Sequence, residues 1–132
     1  MFFATGTQEF VFDFDNGQQR VAHFNPLDPD LATRLTAFRA FMDEFREKVE
    51  TEDYTKSREA FCAAMDKAFG GDVSQAAFAF VSPFAVVGGK MFAVIVFEAL
   101  AGEIAERIKK ESGAMNEHLA RYAVPASDNG NA

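Results

Sequence analysis

Residues 8–24 read QEFVFDFDNGQQRVAHF, with phenylalanine at every second position: Phe10, Phe12 and Phe14, set between Glu9, Val11 and Asp13. A period of two belongs to a strand with one apolar face. Asn16-Gly17 comes next, a pair that tolerates the positive φ angles of a two-residue type I′ turn, and Val21, Ala22, His23 and Phe24 carry the chain back. The spacing predicts an antiparallel hairpin with strands near 8–14 and 19–24. A lone hairpin is marginal in water, so its phenylalanine face is expected to lie on helices of the same chain.

Working outward, Pro26 and Pro29 close the hairpin, and Asp28 or Asp30 can cap the next helix. From about Pro29 to Glu50, Leu31, Leu35, Phe38, Met42, Phe45 and Val49 fall three and four apart, one face of an amphipathic helix that Phe41 widens. A second helix is expected near 55–69, with Phe61, Met65 and Phe69 inward and Cys62 buried and inert beside them; Gly70-Gly71 stops it. Ser74 caps a short helix over 75–80 that Ser82-Pro83 ends, and Gly88-Gly89 separates FAVV from a long last helix starting near Lys90. That helix turns amphipathic by EIAERIKKE, with Ile104 and Ile108 inward and Glu103 four residues before Arg107. Gly113 is a candidate end or bend. The expected class is α+β, mainly α: an N-terminal β-hairpin followed by a small bundle of three to four helices, the C-terminal one long. Residues 1–124 read as one domain and 125–132 as a disordered tail.

The most apolar stretch, AAFAFVSPFAVVGGKMFAVIVFEALAG at 76–102, poses the functional question. A spanning helix needs about 20 unbroken apolar residues. Pro83, Gly88, Gly89 and Lys90 interrupt this one, and a lysine near a bilayer centre costs about 3 kcal/mol on insertion scales. It is not read as a membrane segment. Core or partner surface remains, because a helix apolar on every side is normally covered on every side. Candidate contact residues are Phe78, Phe80, Phe84, Val86, Val87, Met91 and Phe92. Phe84, just after Pro83, is expected outside the helix interiors and tolerant of a charge.

Composition narrows the classes further. The 132 residues carry 16 Phe, 2 Tyr and no Trp, a profile of cores and greasy contacts rather than wet sites. Net charge is −7, and residues 1–53 hold 11 acidic against 5 basic side chains. Phosphate-driven nucleic-acid binding needs the opposite sign. Met1-Phe2-Phe3 lacks the basic start of a secretory signal, so a cytoplasmic location is expected.

Candidate chemistry is thin. Cys62 has His23 and His118 only at a distance in sequence, with no motif for a Cys–His nucleophile. Asp13 and Asp15 flank a turn without the further oxygen ligands a hard cation needs. GGDVS and VVGGK do not match the glycine spacing of a phosphate loop. No enzyme, metal or cofactor is expected.

The order of motifs nevertheless resembles a known family. The strand pair precedes FNPLDPDLATRL at 24–35; then come MDKAFGGDVSQAAF at 65–78 and SPFAVVGGKMFAVIVFEALAGEI at 82–104, leading into a charged helix. This is similar to the tail assembly chaperones of long-tailed phages and prophages of Gram-positive bacteria, over roughly residues 8–111. FNPLDPDLATRL and FGGDVSQAAF are its most specific pieces. The resemblance implies a non-enzymatic protein of the host cytoplasm, absent from the finished virion. It would self-associate, bind hydrophobic helical segments of the tape measure protein, keep it soluble and help recruit tail tube subunits. Such proteins are often made in two lengths by ribosomal frameshifting. The alternative from a different class is a structural subunit of a permanent homo-oligomer, with the apolar 78–97 segment buried at the interface.

Overall fold

A computed structural model describes the backbone of residues 1–48 and 53–130 and the side chains of 1–45 and 53–113. Strands β1 (Gln8–Asp13) and β2 (Gln19–Phe24) form an antiparallel pair running from Gln8↔Phe24 to Asp13↔Gln19. Helices α1 (Leu31–Lys48), α2 (Tyr54–Phe69) and α3 (Val73–Ala77) come after them. A ribbon of two two-residue strands, β3 (Val86–Val87) and β4 (Lys90–Met91), leads into the long α4 (Phe92–Gly130). The class is α+β and mainly helical. Val49 and Glu50, expected at the end of α1, lie outside the described residues.

The hairpin stands where its alternation puts it, but its turn differs. The Phe14 N–H donates to the Gln18 carbonyl at 3.0 Å and the Gly17 N–H to the Phe14 carbonyl at 3.1 Å. Gly17 alone has a positive φ, +80°; Asn16 does not. The loop is therefore Asp15-Asn16-Gly17, three residues with a left-handed glycine last, and not a type I′ turn at Asn16-Gly17. The Asn16 side chain explains the choice: its Oδ1 accepts from the Gln18 N–H at 2.9 Å, a local turn that Asn makes without leaving ordinary φ.

One face of the hairpin carries Phe10, Ala22 and Phe24, all buried. The Phe10 and Phe24 rings stack at 4.1 Å, and Phe24 meets Phe69 of α2 at 5.2 Å. The core continues through Phe61, fully buried and ringed by Phe38, Phe41, Phe45, Phe78 and Phe84 at 5.4–6.2 Å. Phenylalanine offers area without a polar group to satisfy, so rings can surround it on every side.

Polar groups lock the junctions. Asp28 accepts from the Asp30 N–H and from Arg34, whose Nε donates to the Ala68 carbonyl at the end of α2. Asp53 caps α2 by accepting from the Lys56 N–H, and Gly70 ends it at φ +75°. Gly71 does something the sequence did not disclose. A Cβ there would sit 1.9 Å from the His23 carbonyl oxygen, so the α2–α3 turn touches β2 only because residue 71 has no side chain. Asp72 then takes the outward N–H of His23 at 2.7 Å.

The short helix starts earlier than expected, at Val73 rather than 75, and Ser74 is not its cap. Asp66 of α2 accepts both the Ser74 N–H (2.7 Å) and the Ser74 hydroxyl (2.8 Å), so the cap comes from another helix.

The chain falls into two compact units, residues 1–98 and 99 onward. Within the second, Arg107 donates to Glu103 at 3.0 Å, and Ile108 is exposed rather than inward. Helix α4 runs through Gly113, whose cost of about 1 kcal/mol in a helix interior is small over so long an element. Residues 125–130, expected as tail, are helical although Pro125 adds no N–H to the ladder; 131 and 132 lie outside the described residues.

Candidate partner-contact surface

The seven candidate contact residues divide by burial. Phe78 is core, its ring 6.2 Å from Phe61 and 6.1 Å from Phe92, its carbonyl held by Arg58 at 3.0 Å. Phe84 is half-buried, against Phe45 (5.5 Å), Phe61 (5.4 Å) and Tyr54 (5.8 Å). It is not the charge-tolerant loop position expected from its place after Pro83. Pro83 is itself buried, and turning the chain there aims Phe84 into the ring cluster. Met91 and Phe92 are also half-buried. Phe80, Val86 and Val87 are exposed, Val86 at 74 %.

The local chemistry explains this division. Ser82 Oγ lies 2.6 Å from the Tyr54 hydroxyl and accepts the Phe84 N–H at 3.2 Å, tying the loop to α2. The bond to Ser82, and secondly the one to Arg58, hold the Tyr54 phenol below its ordinary 10.0. The first N–H groups of α4 are spent inside the protein: Phe92 donates to the Ala85 carbonyl at 2.7 Å and Ala93 to that of Pro83 at 2.9 Å. Between these anchors, Gly88 (φ +59°) and Gly89 (φ +82°) make a two-residue turn with both φ positive, the type I′ pattern. Expected as helix punctuation, these glycines instead fold Val86 and Val87 back on Lys90 and Met91. The two valines therefore sit on a ribbon that solvent reaches.

Phe80 has a different setting. Its ring meets Phe14 edge-on at 5.0 Å, and the Arg20 guanidinium sits 4.6 Å above its face. The exposed ring is thus held in place from the hairpin side.

Buried faces of α4 within the first unit are Ala93, Val96 and Phe97, while Val94 and Ile95 are half-buried. The helix expected to be covered on every side is covered mainly on one. Elsewhere in the unit, α1 and α2 leave an open groove of about 250 Å³ between Ala37, Phe38 and Phe41 on one wall and Ala64, Lys67 and Ala68 on the other. Small residues beside rings were its only trace in the sequence.

Titratable groups outside this surface serve the fold. Cys62 is half-buried, not fully buried as expected; burial pushes its thiol up, with Ser74 opposing. Asp72 is held below the usual carboxylate value, first by the His23 backbone N–H. Among the described residues no three His, Cys, Asp or Glu side chains gather as metal ligands. Also among them, no helix is long and apolar enough to cross a membrane. Comparison with known proteins finds no family model, no curated protein and no solved structure that matches this chain.

Proposed function

We propose that this chain is a non-enzymatic assembly chaperone of the phage-tail type, holding hydrophobic helices of a tape measure protein in the bacterial cytoplasm and helping recruit tail tube subunits. The reading starts from the motif resemblance over residues 8–111. One observation carries it further: within the apolar 76–102 stretch Phe80, Val86 and Val87 stay exposed, while Phe78 and Phe97 of the same stretch are buried in the core. Exposed apolar groups on a well-packed, acidic protein suit transient capture of greasy segments, with net charge −7 opposing self-aggregation. Each large side chain buried on contact contributes about 1.5–3 kcal/mol, so three suffice for a weak, reversible complex after association costs.

The test is co-expression with a tape measure protein, followed by pull-down and sedimentation. The chaperone reading expects a soluble complex that Val86→Asp with Val87→Asp weakens while circular dichroism is unchanged. A tape measure protein that stays insoluble, or a complex indifferent to the double variant, refutes the role assigned to the valines. Self-association that persists on dilution to nanomolar concentration favours the permanent homo-oligomer instead.

A further inference from the structure

The exposed set Phe80, Val86 and Val87 supports a weak contact but does not form a continuous track along a helix. The α1–α2 groove is better shaped for that. Arg34, Ala37, Phe38 and Phe41 recur at spacings of three, one and three along α1, and Ala64, Lys67 and Ala68 face them from α2. The α1 wall runs over eight residues, Arg34 to Phe41, about 10 Å or two helical turns at 1.5 Å rise per residue. Its floor is aromatic: Phe38 is buried, and the half-buried Phe41 ring touches Phe38, Phe45 and Phe61 at 5.3–6.1 Å. Alanines on both walls let a third backbone approach closely. The space of about 250 Å³ exceeds the ~150 Å³ cavity that takes up one benzene ring, and it is open rather than enclosed.

Charge selects the occupant. Arg34 is committed to Asp28 and to the Ala68 carbonyl. Lys67, in the last turn of α2, meets no carboxylate among the described residues. The groove is therefore an apolar trough with one uncommitted cation at its rim, in a chain that is otherwise acidic. We propose that it receives two turns of an amphipathic helix from a partner protein, with aliphatic side chains against Phe38 and Phe41 and a carboxylate against Lys67. This inference rests on the chaperone reading and gives it a helix-binding site separate from the ribbon tip. Recognition uses the helix-in-groove mode, with anchors at i, i+3 or i+4, and i+7.

The test uses the full chain and fluorescent synthetic helices. One peptide carries leucines at those anchor positions with a glutamate at one end; a second replaces the glutamate by lysine; a third breaks the helix with proline. The glutamate helix is expected to bind best. Ala64→Leu, which fills the groove, should weaken it about tenfold, and Lys67→Glu should reverse the preference between the first two peptides. Circular dichroism controls for folding, and Lys67→Glu, a surface change, keeps the test decisive if Ala64→Leu disturbs the core. Equal binding by wild type and Lys67→Glu, or binding of the proline peptide as well as the helix, overturns the groove. Binding of dodecanoate with none of the helix peptides overturns it too. Each of these outcomes leaves the chaperone reading standing if the tape measure protein is still captured; loss of that capture as well sinks both.

Discussion

The described residues hold two hairpins, and they differ in nearly every respect that matters. The first, 8–24, has six-residue strands, a three-residue loop and a face of Phe10, Ala22 and Phe24 sealed against the helices. The second, 86–91, has two-residue strands, a true two-residue turn, and Val86 and Val87 open to solvent. The type I′ geometry that Asn16-Gly17 suggested occurs at Gly88-Gly89. Two adjacent positive φ angles are strained for any residue but glycine, so a double glycine adopts them most readily. What makes a hairpin structural is the surface it lies on. Turn chemistry sets only how the strands are joined.

Breaking the docking of the first hairpin should have the largest effect. Gly71→Ala puts a methyl group into the His23 carbonyl, and neither backbone can yield without opening the β2 contact. A loss of about 3 kcal/mol or more is expected in urea unfolding. A Cβ at Gly88 or Gly89 would meet nothing within 4 Å, so Gly88→Ala should cost only local backbone strain, about 1 kcal/mol. Equal losses at the two sites would erase the contrast between a docked and a free hairpin.

Next in size is Phe84→Asp, on the segment that ties the second hairpin to the core. With Phe45, Phe61 and Tyr54 around the ring, a carboxylate there should cost about 2–4 kcal/mol, read as a lowered melting temperature. An unchanged melting temperature would return Phe84 to the surface. Gly17→Val comes third, at about 1 kcal/mol, because its φ of +80° strains a β-branched residue even though the space around it is open.

The smallest effect is electrostatic. The folded pKa of Asp72 lies below its ordinary 3.8, so the stability it contributes is present above that value. It is lost as pH falls through the lowered folded value. Asp72→Asn should therefore flatten the acid limb of the stability curve below about pH 4, by less than about 1 kcal/mol since the side chain is largely exposed. An acid limb identical to wild type would show that His23 is held by the Gly71 contact alone.

Much of the framework was legible in residues 8–24 and 31–69. Alternation at Phe10, Phe12 and Phe14 specified a strand and its inner face, and the three-four spacing from Leu31 to Phe45 specified α1. Gly70 marked the end of α2 because a left-handed residue there is a local requirement. The contact surface was only half legible. The sequence singled out 78–97 as apolar, yet hydrophobicity alone does not separate Phe78, sealed in the core, from Phe80, left outside two residues later.

The sequence by itself determined what depends on neighbours along the chain: periodicity, helix ends and the absence of an unbroken spanning segment. Tertiary structure decided what depends on neighbours across space. Asp66, not Ser74, accepts the free N–H at the start of α3, because the carboxylate of Asp72, the residue before the helix, is turned to His23. Gly71 is needed because a strand carbonyl from 48 residues earlier passes beside it. Phe84 points inward and Val86 outward because the ring cluster around Phe61 has room for one and ends before the other. Those are questions of packing geometry, and no local pattern encodes them.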